Sequence, residues 1–185
     1  MGSSFSIRTA RLALILGIVA AAMMLRPGAD SVALAASTLD RPADPVVLTG
    51  ADVPALNGLA PDDVVAFKYD GGWQQIPVQV DERAVVNLGD VYDGAFAGID
   101  VLTYTDANTF TGADPDPAID TNDEIVFMAK DAGDDPPSFA EPAGVVSASG
   151  VRLLVEDPLA PGESGVVFLF EQDGSLDPSA GQQYV

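Results

Sequence analysis

The stretch from Asp114 to Asp131, D-P-D-P-A-I-D-T-N-D-E-I-V-F-M-A-K-D, places the tightest constraint on how this chain can fold. Asp114, Asp116, Asp120, Asn122, Asp123 and Glu124 crowd one end, and Ile125, Val126, Phe127, Met128 and Ala129 form the other. Such a density of carboxylates must be solvated, stretched by its own repulsion, or neutralised by a cation. The apolar run is too short for an ordinary helix and suits a strand buried on both faces. The expectation is a central strand that buries both Val126 and Phe127, fed by an oxygen-rich loop.

The other apolar runs are equally short. Val46-Val47-Leu48 reads as an edge strand inside a Pro/Asp/Gly-rich leading segment, residues 36–63. Val64–Tyr69 alternates so that Val65, Phe67 and Tyr69 share one buried face. Asp70-Gly71-Gly72 is a tight-turn signal, and Trp73–Val80 alternates again, so the two runs read as a hairpin. Ile76, Val78 and Val80 lie on one side of it; Pro77, without an N–H, demands an edge or a bulge. Residues 87–100 read as loop, Val101–Thr105 as a strand, and residues 131–150 as a long loop. Val151–Val155 and Val166–Phe170 complete about seven strands, and no helical period appears outside the leader. The expected fold is all-β, an antiparallel β-sandwich spanning residues 64–170, followed by a tail or truncated strand at 171–185. The final Gln182-Gln183-Tyr184-Val185 resembles the start of another strand, as in a fragment of a longer chain.

Residues 1–35 read as a secretory signal peptide. Arg8 and Arg11 are its positive region, Leu12–Leu25 its apolar region, and Ala33-Leu34-Ala35 a small-x-small cleavage site before Ala36. The apolar region is short for a membrane span, and Arg26-Pro27 sets the cleavage site apart from it, so an uncleaved anchor stays open beside cleavage. Removing the leader takes away Arg8, Arg11, Arg26 and Asp30, which moves the net charge from −20 to −22. That surface repels nucleic acid and anionic membranes and suits divalent cations or a salty milieu. Location outside the cytoplasm is expected.

The chain has no cysteine and no histidine. Disulfides, thiolate nucleophiles, the usual zinc sets and imidazole-dependent triads are therefore excluded. No nucleophile elbow, phosphate loop or dinucleotide fingerprint is present. The acidic loop is the strongest remaining constellation. Calcium takes six to eight oxygens, and D-x-D and D-x-N spacing turns side chains inward. Asp114, Asp116, Asp120, Asn122 and Asp123 are the candidate calcium ligands, with Asp106 and Asn108 upstream. The loop is not an EF-hand: counted from Asp114, Ile119 replaces the glycine and Ile125 the last glutamate. A plain solvated acidic turn stays open beside the calcium reading. Trp73, Gln75 and Tyr92 are candidate ligand-binding residues, an aromatic platform for a sugar ring. Such a Trp more often covers the open end of a core, so both roles stand. Asp81 and Glu82, adjacent on a strand, point to opposite faces and cannot act as a pair. Arg83 is expected to pair with one of them or with the acidic loop.

The segments G-W-Q-Q-I-P-V-Q-V-D-E-R (72–83) and D-T-N-D-E-I-V-F-M-A-K-D-A-G-D (120–134) resemble modules of large secreted bacterial and archaeal proteins. These include β-sandwich domains attached to polysaccharide-degrading enzymes. The resemblance implies a secreted, β-rich accessory module and supplies no catalytic residues. The expected function is a non-catalytic extracellular module that binds a glycan or a cell-surface component. The alternative is the N-terminal portion of a secreted carbohydrate-active enzyme using two carboxylates, a pair that sequence cannot select among so many acids.

Overall fold

The computed structural model describes residues 8–11, 36–136 and 140–180. Within them the chain is almost wholly β, and most strand pairs are antiparallel. In chain order the elements are β1 (Arg8–Arg11), β2 (Pro45–Thr49), β3 (Val64–Tyr69), β4 (Trp73–Ile76), β5 (Gln79–Asp81), β6 (Arg83–Asn87), a single helical turn α1 (Leu88–Val91), β7 (Asp100–Tyr104), β8 (Glu124–Met128), β9 (Val151–Glu156) and β10 (Ser164–Glu171). They form a five-stranded sheet β1-β9-β10-β3-β4, a three-stranded sheet β2-β8-β5 and a two-stranded ribbon β6-β7. β1 is the parallel exception, with Arg8 opposite Val151 and Arg11 opposite Leu154. The apolar leader and its cleavage site, and the last residues 181–185, lie outside the described residues.

Among the described residues ten strands stand where about seven were expected. Arg8–Arg11 and Arg83–Asn87 are strands that short polar-apolar runs did not announce. The third addition comes from Pro77. The Gly71 turn (φ +63°) closes the β3–β4 hairpin with Tyr69 opposite Trp73. Past Ile76 the pairing stops, and Gln79–Asp81 pairs with β8 in the other sheet. A missing N–H ends a ladder, so the chain turns the corner there. Ile76 is buried, and Val78, in the crossing, and Val80, on β5, pack against the same core.

One core cluster joins the two larger sheets. Val64, Ala66, Leu153 and Leu169 come from the five-stranded sheet, and Val46, Leu48, Ile125 and Phe127 from the three-stranded one. The leading segment is integral to it, since Val53 and Leu56 are also fully buried. A second cluster covers the opposite face of the five-stranded sheet: Val65, Phe67, Val166, Phe168 and Phe170 under Trp73, Val145 and Leu176. β3 is therefore buried on both faces, where its alternation implies one. β10 is the central strand with both faces covered. β8 is central in its own sheet but alternates: Ile125 and Phe127 are buried, while Val126 and Met128 are half-buried. The expectation for Val126 fails because its sheet has only one face on the core.

Candidate functional site: an acidic corner

Ile119 pins the acidic loop. It is the one large apolar residue between Asp114 and Glu124, and its side chain is buried in the core. Its backbone exchanges bonds with Leu59 and Gly58. Farther along, Gly50 and Ala51 donate to the carbonyls of Asp123 and Thr121. This approach is so close that a Cβ on Gly50 would meet the Asp120 carbonyl oxygen at 1.8 Å. Only glycine fits there.

The five predicted calcium ligands are all in this corner, but as local turns rather than one centre. Asp114 accepts from the Asp116 N–H (2.8 Å) and from Thr105 Oγ1 (3.3 Å). Asp116 accepts a long bond from the Ala118 N–H (3.4 Å). Asp120 accepts from the Asn122 N–H (2.7 Å) and its Nδ2 (3.0 Å). Asp123, 1 % exposed, accepts from the N–H groups of Asp120 and Arg83, both at 2.7 Å. Asp106 and Asn108 close a turn of their own, farther upstream. Among the described residues, no group of three or more acidic side chains is arranged to hold a metal ion as it stands.

Glu82, which is not among the expected ligands, completes the corner. It follows β5, and alternation sends it away from Asp81, whose carboxylate accepts from Gln79. One Glu82 carboxylate oxygen, Oε1, is buried with no hydrogen-bond partner among the described residues, as is Asn122 Oδ1. Buried acceptors are normally satisfied, so each such oxygen asks for a donor or a cation. Burial raises the Glu82 pKa, and the charges of Asp114, Asp123 and Asp116 raise it further. Asp123 is also raised: burial outweighs the two N–H donors that favour its charged form. The nearby cation is committed elsewhere, since Arg83 is paired with Glu124. In the sequence Glu82 is hidden by its roughly forty-residue separation from Asn122 and Asp123; only the β5–β8 pairing brings it there.

The three ligand-binding candidates are not brought together. Trp73 lies edge-on to Phe168 (ring centroids 5.0 Å apart), Tyr69 (5.5 Å) and Phe170 (6.0 Å), and its Nε1 donates to the Ala140 carbonyl at 2.6 Å. It covers the second core cluster. Gln75 donates to the Asp177 carbonyl at 2.7 Å and ties down the tail. Tyr92 is on the loop that closes the β6–β7 ribbon, 52 % exposed and edge-on to Phe96, which is 49 % exposed.

A separate groove of about 600 Å³ opens beside β2 and β9, lined by Leu39, Val46, Val47, Val155 and Leu159. At its polar side Arg41 holds Asp157 through two bonds of 2.6 and 2.7 Å. Asp157 is 6 % exposed, and its pKa is lowered to about 2, first by Arg41. None of the residues singled out from the sequence as ligands lines this groove.

No family model matches the chain, and neither a curated protein nor a solved structure matches it.

Proposed function

We propose that the chain is an extracellular, non-catalytic β-sandwich module whose acidic corner takes a calcium ion and whose ribbon tip holds a glycan or another cell-surface component. The observation that carries the calcium reading is Glu82 Oε1, buried and without a partner among the described residues, beside Asp114, Asp116 and Asp123. Four carboxylates and the unpartnered Asn122 oxygen supply the hard oxygens that calcium prefers. Asp114 and Asp116 would turn from their local N–H groups toward Glu82 as the ion enters. Asp123, held by two backbone donors, would stay in place and set the loop. The corner then gains what its own side chains lack, a positive charge in a poorly solvated place.

The apolar run Leu12–Leu25 and the Ala33-Leu34-Ala35 motif support a location outside the cytoplasm. Two core faces and the turns around them account for Trp73 and Gln75, so Tyr92 with Phe96 is the half-exposed aromatic pair left to meet a sugar ring. The test is a native mass spectrum and a thermal melt in calcium and in chelator at equal ionic strength. Calcium binding adds the mass of one ion and raises the melting temperature; equal melts and equal masses overturn the reading. Pull-down on insoluble polysaccharides, with Tyr92→Ala as control, tests the glycan half.

A further inference from the structure

We propose that the outer edge of β9 is a strand-acceptor site, filled by Arg8–Arg11 in the full chain and, once the leader is removed before Ala36, by an extended basic segment of a partner polypeptide. β1 shows that the edge accepts a strand. It pairs with β9 in parallel, from Arg8 opposite Val151 to Arg11 opposite Leu154. Among the described residues no other strand pairs with β9 on that side. Cleavage would take β1 away with the leader, so the inference rests on the leader reading.

What remains is an edge without the usual protection. β9, V-R-L-L-V-E, contains no proline, glycine or lysine, and its pairing with β10 runs from Val151 to Glu156 without a bulge. Natural edges are blunted by such devices. By contrast β2, at the edge of the other sheet, opens on Pro45, and β4 stops at Ile76, just before Pro77. β9 is also held firmly. Val151, Leu153 and Val155 belong to the main core, and Leu154 packs on the second cluster. The acceptor is therefore preformed, and an added strand gains ladder hydrogen bonds with little reordering of the body.

Charge selects the occupant. Past the position of Arg11, a segment bound in the same register would run beside Val155 and Glu156, at the groove between β2 and β9. Asp44, Glu156 and Asp157 stand there against one cation, Arg41. Arg41 is taken up by Asp44 and Asp157, whereas Glu156 is exposed and in no ion pair among the described residues. The strand that fills the edge in the full chain is itself basic, R-T-A-R, and without the leader the chain carries −22. A cationic segment is drawn to such a surface. A second copy would instead bring the same negative charge and a second Glu156 to the shared edge.

The test uses the full chain in two preparations, one secreted and one kept with its leader. Mass spectrometry reports the N-terminus, and fluorescence anisotropy reports binding of a labelled peptide of residues 5–13. The cleaved chain should bind the peptide, and the chain that keeps its leader should not. Thr9→Pro with Ala10→Pro removes two N–H groups from β1, so the leader-bearing chain should gain binding. Glu156→Lys, at an exposed position, should weaken binding about threefold or more without moving the melting temperature. Adding the peptide to the cleaved chain should slow hydrogen exchange of the outward amides of β9. A secreted chain that still begins before Arg8 overturns the leader step, and the Thr9→Pro, Ala10→Pro chain then decides the acceptor by itself. A vacated edge that leaves the peptide free, or that binds it equally well after Glu156→Lys, overturns the acceptor. A cleaved chain that dimerises with its β9 amides protected in the absence of peptide overturns the basic partner in favour of a second copy.

Discussion

The guanidinium of Arg83 lies 5.7 Å from the centre of the Tyr104 ring, directly across the β6–β7 ribbon. Both side chains donate to the same carboxylate, Glu124 on β8, with the Tyr104 hydroxyl at 2.7 Å. One acid therefore clamps both ribbon strands to the three-stranded sheet. Charge-assisted bonds to a partly buried carboxylate are stronger than exposed ion pairs. Glu124→Gln should lower hydrogen-exchange protection across residues 83–104 and leave β9 and β10 unchanged, because local opening follows local contacts. Uniform loss of protection would mean the ribbon is not a separate unit.

Calcium at about 100 times its dissociation constant should stabilise the chain by roughly 2.7 kcal/mol. For a domain of this size that is a rise of about 5–10 °C in melting temperature. Monovalent salt at matched ionic strength should not reproduce it, because screening is not coordination. Asp123→Asn and Glu82→Gln should each abolish the response.

Glu82 also sets a pH dependence. A carboxyl whose folded pKa is raised binds its proton more tightly in the folded state, so its contribution is fully present below the ordinary value of 4.5 and is lost as pH rises through the folded value. In chelator, acidification from neutrality toward that value should stabilise the chain. Glu82→Gln mimics the protonated form, so it should raise the melting temperature in chelator at neutral pH and flatten this part of the profile. A Glu82→Gln melt below that of the parent chain in chelator would show that the carboxylate is not strained.

Asp157 behaves oppositely. Its pKa is lowered to about 2 by Arg41, so its contribution is present above the ordinary aspartate value of 3.8 and lost as pH falls from there toward 2. Arg41→Ala should lower the melting temperature at neutral pH and shift acid unfolding to higher pH. Acid unfolding at an unchanged pH would place the pair outside the folding equilibrium.

Phe127→Ala should cost about 3–5 kcal/mol, the range for a fully buried phenylalanine. Val126→Ala, half-buried on the other face, should cost clearly less. Trp73→Ala should destabilise the chain by about 2 kcal/mol or more, through loss of its aromatic contacts, without changing polysaccharide retention. Denaturant unfolding of the three variants, with pull-down for the last, checks the set.

Short alternating or apolar runs between Gly, Pro and Asp turns were enough to determine an all-β chain, because period and turn chemistry act within a few residues. Most strand positions and the Gly71 turn follow from that local physics, whereas the edge or bulge expected at Pro77 is instead a change of sheet. The acidic loop, too, was legible as a crowd of oxygens. What lay beyond sequence was which groups meet. Whether a strand buries one face or two depends on what covers its sheet, so the burial of β3 and β8 could not be read from their own runs. Glu82 reaches the acidic loop only because the chain changes sheets after Ile76 and pairs β5 with β8. Trp73 is a core cover only because β10 brings Phe168 and Phe170 beneath it. Local spacing specifies elements; burial and charge are properties of neighbours distant in sequence, and only the tertiary structure supplies those.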